Sequence, residues 1–154
     1  MITTAELARA AGAAFEYVRA QLEVSEVEVF VAANASLLSR LCYTSHLPCN
    51  GVEEPKSTES YGIGIQAVFT NGGGPRIGFG SEPSDLSLAG TERALVKARQ
   101  SAVADPEFVS LPRPPGPPRT LVDYHDPALM TVSDAALVET GWKVLQGGLR
   151  GFMT

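Results

Sequence analysis

The sequence predicts an α+β fold: a mostly antiparallel mixed sheet of about four to five strands with helices packed on one face, plus a C-terminal helix after a Pro-rich connector. The first observation is the stretch Tyr61–Ser81, YGIGIQAVFTNGGGPRIGFGS, in which two apolar runs, Gly62–Thr70 and Arg76–Gly80, flank a centre rich in Gly and Pro. Such a centre is typical of a turn between two strands. The second observation is a helical spacing of apolar residues on both sides of this hairpin, which supplies the cover that it needs.

The hairpin itself is predicted from residues that alternate with a period of two. In the first run Ile63, Ile65 and Ala67 fall on one face, and in the second run Ile77 and Phe79 alternate in the same way. We expect these residues to form the apolar face that the helices cover.

The N-terminal segment Thr3–Leu22 is predicted to be a helix. Thr3 and Glu6 have the spacing of a capping box, in which the hydroxyl accepts from the Glu6 amide and the carboxylate reaches back. The apolar stripe of this helix, which Phe15 widens, consists of Leu7, Ala11, Ala14, Val18 and Leu22.

Two further strands are predicted before the hairpin. In Glu26–Ala33 the valines at every second position face one way, and Glu26, Glu28 and Phe30 face the other, as in a half-solvated sheet. Residues 34–36 either turn the chain or only bend it, and Leu37–Leu47 is a second strand with a weaker pattern.

A second helix is predicted after the hairpin, from Asp85 or Ser87 to Val103. Its apolar face consists of Leu88, Thr91, Leu95, Ala98 and Ala102. Gly90 costs about 1 kcal/mol relative to Ala inside a helix, unless another part of the chain approaches closely there.

The C-terminal part is predicted to be a connector and a last helix. The run LPRPPGPPR within Phe108–Arg119 is a stiff, polyproline-like surface crossing, or alternatively a ligand for an SH3-type groove. The last helix is Ser133–Leu149, ended by Gly147-Gly148. We therefore divide the chain into a domain over 1–112, a connector over 113–132 and a helix over 133–154, whose end looks like a cut inside a longer protein.

Composition limits the classes of function. The 154 residues carry a net charge of −5 without a basic stripe, which argues against direct nucleic-acid binding. No apolar run approaches the roughly 18 residues of a membrane span, and no signal peptide is evident, so a cytoplasmic protein is expected. Cys42 and Cys49 do not have the spacing of a zinc site, and we expect two reduced thiols in or near a hairpin.

The chain offers little chemistry of its own. Neither His46 nor His125 belongs to an HExxH or HExxxH motif, and the carboxylates beside His125 in Asp123-Tyr124-His125-Asp126 are more typical of capping or packing than of metal binding. The glycine-rich segments lack the features of dinucleotide or phosphate loops. No catalytic, cofactor-binding or metal-binding residue is therefore predicted.

The order of these segments resembles the N-terminal domain of the TldD/PmbA family, described as modulators of DNA gyrase and zinc-dependent proteases. An acidic-valine strand, VEVFVA, follows an alanine-rich helix, and GIGIQAVF and RIGFGSEPSDLS precede GTERALVKARQSA. The resemblance spans nearly the whole chain and is sharpest at Gly62–Val68, Arg76–Ser81 and Asp105–Pro112. Gln66 departs from it, since a basic residue is usual there, and so does the extension over His46–Gly51.

This resemblance implies a function that also requires a later part of the polypeptide or a partner subunit. The family's HExxxH motif and further Cys ligand would lie in a later part of the polypeptide, so zinc is expected there or in a partner subunit. The domain would help to enclose a peptide-sized chamber and to form a homo- or heterodimer with a second TldD/PmbA-type chain. The protein would be a metallopeptidase with a peptide substrate, or alternatively the zinc-free regulatory or binding partner of the pair.

One polar segment is the candidate substrate groove. Glu53–Ser60 reads EEPKSTES and is interpreted as an exposed edge strand or the approach to one. The simpler interpretation is a solvent-exposed edge, because charged segments usually face water. The alternative is a groove edge to which an extended peptide adds as a strand, and the residues that would form it are Lys56, Thr58, Glu59 and Ser60.

Overall fold

The computed structural model describes residues 2–43, 51–52, 56–70, 74–113, 116 and 126–152. It divides into two compact units: the first comprises Met1–Ala35 and Glu59–Pro115, and the second comprises Ser36–Thr58 and Gly116–Thr154. Part of the predicted first domain, Ser36–Thr58, thus belongs with the C-terminal part of the chain.

The first unit has the predicted α+β architecture. Helix α1 (Thr4–Arg19) is followed by β1 (Val24–Leu38), whose last three residues belong to the second unit. After β2 (Leu41–Cys42) and β3 (Gly51–Val52), the hairpin follows as β4 (Lys56–Phe69) and β5 (Arg76–Pro83). Helix α2 (Leu88–Ser101) and the short β6 (Val103–Ala104) complete the unit.

The sheet of the first unit is four-stranded and antiparallel, in the order β1-β4-β5-β6. The hairpin register runs from Gly62 opposite Pro83 to Phe69 opposite Arg76. The predicted hairpin is thus confirmed, while the tip residues 71–73 lie outside the described residues.

The core lies between one face of this sheet and the two helices. Alternation in β4 brings Ile63, Ile65, Ala67 and Phe69 to this face, where each is at most 2% exposed. From α1 the core receives Ala14 and Val18, as the predicted stripe required. The prediction was wrong for Leu22, which is fully exposed because α1 ends at Arg19 and a turn follows.

Helix α2 packs against two glycines of β5. A Cβ atom at Gly78 would overlap the Ala98 carbonyl oxygen, and one at Gly80 would overlap the Ala94 carbonyl oxygen. The glycines therefore let the helix backbone lie directly on the strand. This corrects the predicted apolar face of β5, because Gly78 and Gly80 face the helix and Phe79 faces outward.

The ends of the helices follow local chemistry. The capping box of α1 is present, with Thr3 N–H donating to the Glu6 carboxylate at 2.7 Å. Ser87 caps α2, and the close approach at Gly90 comes from Asp85 of the preceding loop. Leu88, which was predicted to lie on the apolar face of this helix, is its first residue and is 52% exposed.

The second unit contains a two-stranded antiparallel ladder of β2 and β3 and the helix α3 (Asp134–Phe152). The chain does not turn at residues 34–36, since β1 continues to Leu38. A 3₁₀ helix spans Pro127–Thr131. The predicted stop at Gly147-Gly148 was wrong: α3 continues for one more turn, and Gly141 packs against Leu41 of β2.

Candidate functional site

An apolar exposed surface of the first unit lies on the sheet face that points away from the helices. Because successive strand residues point to opposite faces, Gly62 and Gly64 are outward wherever Ile63 and Ile65 are inward. Phe79 of β5 and Phe30 of β1 join them there. Together with neighbours they line a cleft of about 340 Å³, and the further lining residues include Ala32, Asn34, Ser60, Ser81 and Pro83. We call this surface the outer-face cleft.

Glycine shapes the outer-face cleft. A Cβ atom at Gly64 would lie 3.4 Å from Cε2 of Phe79, so the missing side chain leaves the ring room to lie over β4. Phe30 is 68% exposed and Phe79 is 58% exposed. Two large exposed aromatic side chains beside two strand positions without side chains, Gly62 and Gly64, are typical of a surface that contacts another molecule.

An ion cluster fixes the end of the cleft at the loop between β5 and α2. The Glu82 carboxylate accepts from Lys97 Nζ at 2.6 Å and from Arg93 Nε at 2.9 Å. Arg93 also pairs with Asp85, whose Oδ1 accepts from the Ser87 amide at 2.8 Å. These contacts hold the loop in place, including Ser84 with its positive φ of 59°.

The ion cluster changes the acidity of its carboxyl groups. Hydrogen bonds from Ser87, followed by the bond from Arg93, lower the pKa of Asp85 from 3.8 to about 2. Hydrogen bonds from Lys97 and then Arg93 lower the pKa of Glu82. Both groups are therefore carboxylates at neutral pH, and their cationic partners make them structural anchors of the loop.

A larger cleft of about 610 Å³ lies on the side of the sheet that the helices cover, between the first half of α1 and residues Glu59 and Tyr61 of β4. Its walls include Arg9, Tyr61, Leu86 and Ala10. Its two carboxylates serve local structure: Glu59 accepts from the Ile2 amide at 3.2 Å, and Glu6 closes the capping box. The hydrogen bonds from Thr3 lower the pKa of Glu6.

The four predicted groove residues are all exposed at the start of β4. This segment is the start of β4, a strand that lies between β1 and β5 in the order of the sheet. Its pairing with β5 nevertheless starts only at Gly62, beyond the four residues.

The four residues are divided among different surroundings. Lys56 and Thr58 belong to the second unit, where Lys56 lines a cleft of about 210 Å³ with Leu137 and Val138 of α3. Glu59 and Ser60 belong to the first unit, where Glu59 lines the helix-side cleft and Ser60 lines the outer-face cleft. Adjacent strand residues point to opposite faces, which explains why Glu59 and Ser60 line different clefts.

The candidate metal residues give no site in the part of the chain that is described. Within it, no group of three or more His, Cys, Asp or Glu side chains is close enough to hold a metal ion. His46, His125 and Cys49 lie outside the described residues, and Cys42 is exposed in β2. Asp126 caps the 3₁₀ helix by accepting from the Ala128 amide at 2.9 Å. No described helix has the length and apolar character needed to cross a membrane.

The outer-face cleft was missed from the sequence, although two signals pointed to it. Phe30 stands in phase with Glu26 and Glu28, on the face expected to meet water. Phe79 stands between Gly78 and Gly80, and a strand with alternate glycines can take a helix on its glycine side, which leaves Phe79 outward.

Comparison of the chain with protein-family models, with curated proteins and with solved structures finds no match.

Proposed function

We propose that this chain is the N-terminal, non-catalytic domain of a TldD/PmbA-type zinc metallopeptidase, which acts on peptides in the cytoplasm. In this role the domain guides substrate to a zinc centre held elsewhere and takes part in the pairing of two chains. The zinc ion would activate water for attack on a peptide carbonyl, and none of the described residues takes part in that step.

The observation that carries the proposal is the outer-face cleft and its position in the fold. Two of the three stretches of sharpest resemblance, Gly62–Val68 and Arg76–Ser81, form the paired strands beneath this cleft. These two segments therefore form one packed element of the fold. An extended peptide could rest over Gly62 and Gly64, with an apolar side chain between Phe30 and Phe79.

The experiment uses the complete protein encoded by the source gene, alone and with a second TldD/PmbA-type chain. We expect the protein to hydrolyse an unfolded peptide, and we expect this activity to be lost when zinc is chelated. Phe79→Ser should raise KM several-fold, because it removes an apolar contact that helps to bind the peptide before hydrolysis. Val96→Ser is the matched control, since Val96 is also exposed but lies on α2. The proposal fails if neither arrangement hydrolyses peptide, or if Phe79→Ser and Val96→Ser behave alike.

The alternative role, a zinc-free regulatory partner, would use the same surface. Metal analysis distinguishes it from the catalytic role. A complete protein that holds zinc after purification would be the catalytic member of the pair. One that holds none, yet increases peptide hydrolysis by a zinc-bearing chain, would be the regulatory member.

A further inference from the structure

The sheet face around the outer-face cleft carries a single charged side chain. Alternation along the strands and the hairpin register determine which side chains point outward on this face. The outward positions are Glu28, Phe30, Ala32 and Asn34 in β1, Ser60, Gly62, Gly64, Gln66 and Val68 in β4, and Ile77, Phe79, Ser81 and Pro83 in β5. Among these positions Glu28 alone is charged, and it is acidic.

The Glu28 side chain is exposed beside the cleft, since it is the outward residue that precedes Phe30 on β1. Within the part of the chain that the structure describes, its carboxylate has neither a hydrogen bond nor an ion pair. The neighbouring acidic residues are both engaged: Glu26 accepts from the Leu111 amide at 2.7 Å, and Glu82 belongs to the ion cluster. Glu28 therefore places beside the aromatic side chains a negative charge that no described residue balances.

We propose that the outer-face cleft binds peptide segments in which a Lys or Arg stands two residues from a large apolar residue. The apolar side chain lies between Phe30 and Phe79, and the cationic group lies against Glu28. This inference rests on the proposed function, in which the cleft receives an extended peptide, and it names the class of peptide.

The separation of the two peptide side chains follows from the geometry of β1. Glu28 and Phe30 are two residues apart on one face of the strand, which corresponds to roughly 7 Å between their Cα atoms. Side chains two residues apart in an extended peptide have the same separation and point to the same side. The hydrocarbon stem of Lys or Arg can lie along the exposed Phe30 ring, which attracts a cation, while the charged end meets the carboxylate.

Charge complementarity favours this occupant over other peptides. An acidic peptide would meet the unbalanced Glu28 on a chain whose net charge is −5, and both repel it. A wholly apolar peptide would cover the two phenylalanines and would partly desolvate the carboxylate without giving it a partner, which costs free energy. A cationic group two residues from an apolar one satisfies both features of the surface.

The test is a titration of the 154-residue chain with unlabelled decapeptides, followed by the NMR shifts of the Gly62 and Gly64 amides. Each decapeptide consists of Ser and Gly around one Phe-Ser-X sequence, in which X is Lys, Gln or Glu. At low salt we expect the Lys peptide to have a Kd about three-fold below that of the Gln peptide and about ten-fold below that of the Glu peptide. The preference should shrink in about 0.5 M salt, because the contact with Glu28 is exposed to solvent.

The position of the cation within the peptide is a second reading. In a Phe-Lys-Ser peptide the Lys follows the apolar residue directly, so its side chain points away from the sheet when the Phe points toward it. This peptide should bind no more tightly than the matching Phe-Gln-Ser peptide.

Two variants with the same change of charge assign the preference to Glu28. In Glu28→Gln, the Lys and Gln peptides should bind equally well. Glu16→Gln is the matched control, since Glu16 is also an exposed carboxylate but lies on α1, on the other side of the sheet, and this variant should keep the preference. Glu28→Lys should reverse the order, so that the Glu peptide binds best.

Several outcomes would overturn the inference: equal binding of the Lys and Glu peptides, a Lys preference that survives Glu28→Gln, or no shift of Gly62 and Gly64 at about 5 mM peptide. None of these measurements requires zinc or hydrolysis. A preference that behaves as expected, in a complete protein that hydrolyses no peptide, would therefore count against the proposed function alone. Zinc-dependent hydrolysis without a charge preference in binding would count against this inference alone.

Discussion

The hydroxyl group of Ser101 occupies both backbone groups of Phe79. Its Oγ accepts from the Phe79 amide at 3.0 Å and lies 2.7 Å from the Phe79 carbonyl oxygen, to which it donates. The last residue of α2 thus stands where a neighbouring strand would otherwise pair with β5. The Phe79 ring faces the outer-face cleft because its neighbours Gly78 and Gly80 face the helix, so that helix packing on one face and the candidate site on the other are connected.

Removing the Ser101 hydroxyl should reduce the protection of the β5 edge at Phe79. In Ser101→Ala, we expect faster hydrogen exchange at the Phe79 amide and a loss of about 1 kcal/mol in the free energy of unfolding. Hydrogen exchange at the Ala67 and Ile65 amides, which are interior to the sheet, should become faster only to the extent that the free energy of unfolding falls. Gln100→Ala is the control, because Gln100 is an exposed neighbour on the same helix. Equal exchange at Phe79 in both variants would show that water serves the edge as well as Ser101 does.

The fold was predictable where one periodicity dominated. The alternation of Ile63, Ile65 and Ala67 and the capping box at Thr3 are local signals that tertiary structure reinforces. Helix propensity alone failed in the last helix. Gly147 and Gly148 have poor helix propensity, yet α3 continues through them.

The glycines under α2 should be the least replaceable residues of the hairpin. Gly78→Ala or Gly80→Ala would push a methyl group into helix backbone, which cannot move as a side chain can. We expect a loss of about 3 kcal/mol for each variant in urea unfolding. Gly12→Ala in α1 is the control: nothing lies within 4 Å of the added methyl group, so helix propensity should make it more stable by about 1 kcal/mol. A Gly80→Ala protein as stable as the wild type would mean that α2 does not rest on β5 as described.

Two residues that share one sequence pattern should differ sharply in their contribution to stability. Val18 and Leu22 lie four residues apart in the predicted stripe, but Val18 is 0% exposed and Leu22 is 100% exposed. Val18→Ala should cost about 2 kcal/mol, because it removes buried methyl groups and leaves a cavity. Leu22→Ala should change the free energy of unfolding by less than about 0.5 kcal/mol. Thermal or urea unfolding of both variants checks this, and similar losses would mean that α1 extends beyond Arg19.

The candidate site was less predictable than the fold because it depends on which face of each strand is covered. Sequence alternation divides Phe79 from Gly78 and Gly80 but does not say which set faces the helix. That choice is made by α2, since its alanines Ala94 and Ala98 allow an approach that only glycine on β5 can accept. Ser60 and Glu59 illustrate the same limit, because their grouping as one groove ignored that they point to opposite faces.

The loop that ends the outer-face cleft should respond to acid through Asp85. Its pKa is lowered from 3.8 to about 2 by the Ser87 hydrogen bonds first and by Arg93 second. Because the pKa is lower in the folded state, the contribution of Asp85 to stability is present above pH 3.8 and is lost as the pH falls toward 2. Asp85→Asn does not titrate, so the stability difference between wild type and variant should be constant near neutral pH and should shrink across that window.

Urea unfolding at a series of pH values measures this difference directly. Repeating the series in about 0.5 M salt serves as the control, since salt screens the exposed ion pair with Arg93 far more than the hydrogen bonds from Ser87. With Ser87 as the larger cause, most of the pH-dependent difference should remain in salt. A difference that vanished in salt would make Arg93 the main anchor of Asp85, and one that stayed constant down to pH 2 would mean that the carboxylate contributes nothing to the folded loop.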